Sequence, residues 1–128
     1  MTATVAKVMV VVPDYDEALA YFTRVLEFEV LEDRDLGNGK RWVVVAPDQD
    51  RGAALVLGQA TTPEQRARIG DQTGGRVFLF LEVDDFWSRY RHLERCGVHF
   101  VEEPRSEAYG TVVVFEDLYG NRWDLIGR

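Results

Sequence analysis

Cysteine, lysine, histidine and proline are all scarce in this chain: one Cys, two Lys, two His and four Pro among 128 residues. A single thiol excludes an intramolecular disulfide and any cysteine-rich zinc site, and it fits a reducing compartment. No apolar run approaches the roughly 20 residues needed to span a bilayer, so no membrane partner is expected. Met1 to Lys7 lacks the charged and apolar regions of a signal peptide. A cytoplasmic location is the expectation. Basic residues number 15 against 22 acidic ones, a net charge of −7. Phosphate neutralisation needs a basic face, so nucleic acid is not an expected partner. Acidic surface chiefly serves solubility, and it also attracts cationic ligands over a distance. Glycine-rich phosphate loops and the G-x-S-x-G nucleophile motif are missing.

What is present is enough for a core. Hydrophobic residues make up 46% of the chain and aromatics 12%, which separates it from disordered sequences. The length suits one compact domain that buries about two-thirds of its unfolded surface without staples.

The chain is also internally repeated. KVMVVVPDYDEALAYF (7–22) and FLFLEVDDFWSRYRHL (78–93) each read as an apolar strand, an Asp and an amphipathic helix, with Asp85 lying 71 positions after Asp14. FEVLED (28–33) matches VHFVEE (98–103) at an offset of 70. WVVVAPD (42–48) matches TVVVFED (111–117), and LVLGQ (55–59) matches DLIGR (124–128), both at 69. Four segments in one order with so little drift define a duplicated βαβββ unit. The expected organisation is a single domain of module one (1–59), a linker (60–76) and module two (77–128).

Local signals agree. Asp14 and Asp85 are helix N-cap candidates. Ala18, Leu19, Phe22, Val25 and Leu26 form one helical stripe, and Phe86, Tyr90, Leu93 and Cys96 another. Cys96 is therefore expected to be a buried, inert thiol. Asn38-Gly39 is a two-residue hairpin signal, and Tyr119-Gly120-Asn121 supplies a turn before the last strand. Thr62, Pro63 and Gly70 read as cap, first-turn proline and terminating glycine of a short helix. The expected fold class is α+β: two tandem βαβββ modules forming a cup-shaped, mostly antiparallel sheet with helices on the outer face.

A repeated βαβββ unit with DYDEALAYFTRVLEFEV early and FEDLYGNRWDLIGR at the end resembles the vicinal oxygen chelate superfamily, the glyoxalase, bleomycin-resistance protein and extradiol dioxygenase group. The likeness covers essentially the whole chain. Its marks are Asp14 to Phe22, the Tyr109-Gly110 pair, and Asp117 to Asn121. Enzymes of that group commonly hold a divalent metal with His or Gln, Glu, His and Glu from four strands. Carried over by position, those slots fall on Lys7, on Leu55 (or Val56 after a one-residue slip), on Phe78 and on Asp124. Phe78, Leu55 and Val56 have no donor atom, Lys7 is an ammonium, and one carboxylate does not hold a catalytic ion. No metal and no cofactor is therefore expected.

Strand alternation groups Lys7, Met9 and Val11 on one face; Phe78, Phe80 and Glu82 on another; and Arg122, Asp124 and Ile126 on a third. Lys7 and Asp124 either pair with each other as a structural ion pair or orient a ligand. Trp42, whose repeat mate is the small Thr111, and Tyr109 are the aromatic candidates for stacking. The ligand-binding set is thus Lys7, Met9, Trp42, Leu55, Phe78, Phe80, Tyr109 and Asp124, with no catalytic residue assigned. Trp87 is a candidate for a subunit interface or a pocket rim, Trp123 for the core. His92 and His99 read as solvated or packing residues.

The resemblance implies, first, a binding protein of the bleomycin-resistance type: a metal-free acidic homodimer that sequesters a hydrophobic, aromatic small molecule such as an antibiotic. The alternative is a glyoxalase-, isomerase- or dioxygenase-like enzyme with a shifted or absent metal site. A ligand sensor without catalytic role is the third reading.

Overall fold

The computed structural model describes residues 1–128. The chain divides into two compact units, Met1–Arg68 and Ile69–Arg128. No helix is long and apolar enough to cross a membrane.

The first unit begins with β1 (Lys7–Val12), α1 (Tyr15–Arg24), β2 (Glu29–Gly37), β3 (Lys40–Ala46) and β4 (Ala54–Gln59), followed by the single turn α2 (Pro63–Arg66). Its sheet has the order β1-β4-β3-β2, with β1 and β4 parallel and the other pairs antiparallel. Asp14 caps α1 by accepting from the Glu17 amide at 2.8 Å, which satisfies one of the free N–H groups of the first turn. Beyond the cap, Tyr15, Ala18 and Phe22 form the buried stripe of α1. Arg41 fixes the helix to β3: its backbone N–H donates to the Tyr15 hydroxyl at 3.2 Å, and its guanidinium reaches Asp16 at 2.9 Å and Asp33 at 3.0 Å. Arg41 thereby marks the helix side of β3, and Val43 and Val45, both fully buried, follow it on that side.

The hairpin expected at Asn38-Gly39 is present, with φ of 56° and 79° at its two central residues, the geometry of a type I′ turn. Beyond the turn, β2 carries irregularities between Asp35 and Gly37 and between Val30 and Glu32. The first sets Arg34, rather than Asp35, opposite Trp42. Bulges of this kind shift side chains along a face without any composition signal.

The second unit holds β5 (Val77–Val83), α3 (Phe86–Arg95), β6 (His99–Phe100), β7 (Arg105–Glu107), β8 (Gly110–Glu116) and β9 (Arg122–Gly127). The sheet order is β5-β9-β8-β6, with β7 also paired to β8. Here the second strand of the repeat is broken in two. Pro104 lies at the break, and proline has no N–H to give to a ladder. Asp85 caps α3 by accepting from Ser88 N–H at 3.1 Å. A Cβ on Gly127 would meet Phe86 at the start of α3. Gly127, Leu125 and Trp123 therefore face the helix, while Arg122, Asp124 and Ile126 face away from it. Trp123 is core, as expected, stacked on Phe115 at 5.9 Å.

The apolar stripe assigned to the second helix needs one correction. α3 ends at Arg95, Cys96 is its C-cap, and Gly97 turns the chain away with φ of 80°. Cys96 is exposed, with its sulfur 3.7 Å from His92 Nε2. A helical period carried one residue past the helix end no longer predicts burial.

The Asp117–Asn121 corner is the most heavily bonded turn in the second unit. The buried Asp117 carboxylate accepts from the backbone N–H of Tyr119 (2.9 Å) and Asn121 (3.0 Å), from Asn121 Nδ2 (3.1 Å) and from the Trp123 indole (3.0 Å). Asn121 Oδ1 in turn accepts from the Gln72 amide at 3.3 Å. Gly70, with φ of 73°, lies so close to the Tyr119 carbonyl that any Cβ there would overlap it.

Candidate functional site

Each sheet has one face covered by its helix and one face turned away, and most of the ligand-facing residues expected from the sequence lie on the latter. On the first sheet the register pairs Met9 with Val56, Lys7 with Ala54, and Val44 with Val56. Met9, Val56, Val44 and, two residues before Val44, Trp42 therefore share a face. Val44, Ala46, Ala54 and Val56 form a buried apolar cluster there, with Leu31 and Trp42 packed against it. Met9 is 53% exposed. Its thioether occupies the space a Cβ on Gly58 would need, so glycine at 58 is what lets this adaptable side chain lie along the sheet.

Leu55 belongs to the other face. It pairs with Val8 and Val45, on the side of Arg41 and α1, and is buried. The residue of β4 that shares the face of Met9 is Val56, because the parallel pairing of β4 with β1 fixes the register one residue on. The repeat offset alone left that step open.

Trp42 is held in place. Its indole N–H donates to Glu32 Oε2 at 2.8 Å, and Glu32 is 3.8 Å from Arg34. Strand alternation did not single out Glu32, because the bulges in β2 decide which of its residues flank Trp42.

On the second sheet Phe80 and Glu82 lie along one face of β5, Phe78 falls at a register shift between Val77 and Leu79, and Phe80 is directly across from Asp124 on β9. Val114 of β8 is the neighbour of Asp124 on the other side. Phe80 is 63% exposed. Asp124 Oδ1 is shut off from solvent and has no hydrogen-bond partner. Burial pushes the Asp124 carboxyl above its ordinary value; Arg105 opposes that shift and Glu102 adds to it. The cation acting on Asp124 is thus Arg105 of its own sheet, a residue the sequence did not point to. Its guanidinium is itself engaged by Glu102 and Glu107, each at 2.7 Å. Tyr109 sits at the β7–β8 turn, 60% exposed, lining an open hollow of about 290 Å³ with Ser106, Glu107, Gly110, Thr111 and Arg128.

A buried acceptor without a donor is costly, and the Asp124 site predicts a pH signature. The folded chain holds the Asp124 proton more tightly than the unfolded chain. Its contribution to stability is complete below the ordinary carboxylate value and is lost as pH rises through the folded value. Asp124→Asn should therefore stabilise the fold at neutral pH, with the gain vanishing in acid. Thermal melts of both proteins across pH check this; a gain that persists in acid would count against it.

The match to known families is decisive. Residues 4–125 fit the model of the Glyoxalase/Bleomycin resistance protein/Dioxygenase superfamily. The chain belongs to that superfamily. An uncharacterized protein from Shewanella frigidimarina (strain NCIMB 400) is 48% identical over 127 residues, covering 98% of this chain and 94% of its own. Among solved structures, UcmS2 matches with a TM-score of 0.82 at 33% identity, covering 98% of both chains. TnmS3, an antibiotic binding protein from Streptomyces sp. CB03234, matches with a TM-score of 0.77 at 26% identity, over 98% of this chain and 96% of that one.

Membership raises the question of the metal found in the superfamily's enzymes. Carried over by position from the resemblance, its ligand slots fall on Lys7 and Leu55 or Val56 on the first sheet and on Phe78 and Asp124 on the second. An ammonium, an aliphatic group and a phenyl ring offer no donor to a divalent ion, so this set does not fit one. No three His, Cys, Asp or Glu side chains converge elsewhere into a metal-holding group.

Proposed function

We propose that this chain binds and sequesters a hydrophobic, aromatic small molecule such as an antibiotic, without a metal, as a cytoplasmic homodimer. The observation that carries the reading is the character of the sheet faces turned away from the helices. Where the superfamily's enzymes have metal ligands, this chain has Val56, Phe78 and a flanking set of Met9, Trp42 and Phe80. Small-molecule sites are mostly apolar surfaces with a few placed polar groups. Lys7, Glu32 and Asp124 are those groups here. On the first sheet Trp42 offers a stacking surface and Met9 adapts to a ligand's outline; on the second, Phe78 and Phe80 offer stacking surfaces and Tyr109 adds an aromatic edge with a hydroxyl. The likeness to TnmS3, an antibiotic binding protein, supports the same reading. The mechanism is stoichiometric capture: affinity comes from apolar area and stacking, and no bond in the ligand is made or broken.

Polycyclic antibiotics, titrated in the presence of EDTA, should quench the tryptophan emission saturably and at a fixed stoichiometry. Unchanged emission across a varied panel at tens of micromolar would overturn the proposal.

A further inference from the structure

The second sheet's exposed face carries more about the ligand than its apolarity. Its cations are already engaged. Arg105 is gripped by Glu102 and Glu107, and Arg122 lies 3.9 Å from Glu116, which also has His99 at 3.8 Å. Two carboxylates, Glu82 and Asp124, stand on the same face, and the one cation acting on Asp124, Arg105, is already held by Glu102 and Glu107. Asp124 has one oxygen with no hydrogen-bond donor, and its strand neighbours are Phe80 on one side and Val114 on the other. Native chains rarely keep a buried acceptor unsatisfied, and where they do the group has a role. Its surroundings select the donor that would satisfy it. An anion would meet the surplus of carboxylates. A neutral hydroxyl would satisfy the oxygen but add nothing to the charge balance of a face whose cations are shared among several carboxylates. A protonated amine supplies N–H donor and charge together, and the face of an aromatic ring attracts it as well.

We propose that the ligand carries a protonated amine on its aromatic body, seated against Phe80 and donating to Asp124 Oδ1, with Glu82 as a second, more distant countercharge. This deepens the sequestration reading and rests on it. Phe80 is exposed enough to change rotamer as the amine enters. Lys7 and Trp42, on the first sheet, have no part in the selection.

The test uses three flat tricyclic probes of similar area: proflavine, a cation at neutral pH; acridone, which is neutral; and anthraquinone-2-sulfonate, an anion. Calorimetric titration of the intact protein should rank proflavine about tenfold or more above acridone, and acridone above the sulfonate. Asp124→Asn, an isosteric change, should collapse the proflavine-to-acridone ratio toward one. Glu82→Gln, at an exposed position, should reduce that ratio by a smaller factor. Circular dichroism establishes that both variants are folded. Equal affinities for proflavine and acridone in the unchanged protein would overturn the amine inference and leave sequestration standing. A ratio that survives Asp124→Asn would overturn the assignment to Asp124. Failure of all three probes, together with the antibiotic panel, would remove both readings.

Discussion

Asp117→Ala is expected to lower stability by about 3 kcal/mol, the size found when a buried, hydrogen-bonded charge network loses its centre. The carboxylate is 7% exposed and accepts four N–H groups, two from the backbone of its own turn, one from Asn121 and one from the Trp123 indole. Alanine would strand donors in a place water does not reach, and it would release the corner that leads into β9. For a chain of this size the melting temperature should fall by about 10 °C. Asp117→Asn discriminates between charge and shape. Its oxygen can still serve the two backbone amides, but its NH₂ would face Asn121 Nδ2 and Trp123 Nε1, donor against donor. Most of the loss should therefore persist in the amide variant. A melt of either protein within about 1 kcal/mol of the parent would refute the network account.

Trp42→Ala is expected to weaken ligand binding by about 2 kcal/mol, a factor of roughly thirty, the usual cost of removing a central aromatic anchor. The indole is partly buried against the Val44, Ala46, Ala54 and Val56 cluster, and its N–H is fixed by Glu32. A ring already held in one orientation gives up little freedom when a ligand stacks on it. Leu55→Ala supplies the contrast. Leu55 is buried on the helix side, so truncating it should cost about 2–4 kcal/mol of stability, with affinity changing far less than in Trp42→Ala. Binding isotherms read beside thermal melts separate the two effects. Equal affinity losses in both variants would contradict the assignment of faces.

The large features of this fold were legible because they repeat. Two strands, each followed by a capping aspartate and an apolar helical stripe, recur some seventy positions apart, and Asp14 and Asp85 do cap α1 and α3. Alternation was equally readable on regular strands. Met9 on β1, Phe80 on β5 and Asp124 on β9 lie on the faces expected from period two, while Phe78 falls at a register shift in β5. Legibility ended where the backbone departs from regularity. The bulges in β2 determined that Glu32 flanks Trp42, and only the register of β4 on β1 separated Val56 from Leu55. Pro104 split a strand that the repeat drew as continuous, and Cys96 fell just past a helix end. Arg105 was missed because its influence on Asp124 reaches across strands. One-dimensional periodicity does not carry that information.

Duplication leaves every corner with a twin, and the twin of Asp117 at the repeat offset of 69 is Asp48. Asp48 is exposed and accepts a single bond, from the Asp50 amide at 2.8 Å. One copy of the turn is a keystone, while the other, running through Asp50, Arg51 and Gly52, carries no such network. Evolutionary length change and protein engineers alike have a permissive seam at 48–52, where a graft leaves the second unit's fastening untouched.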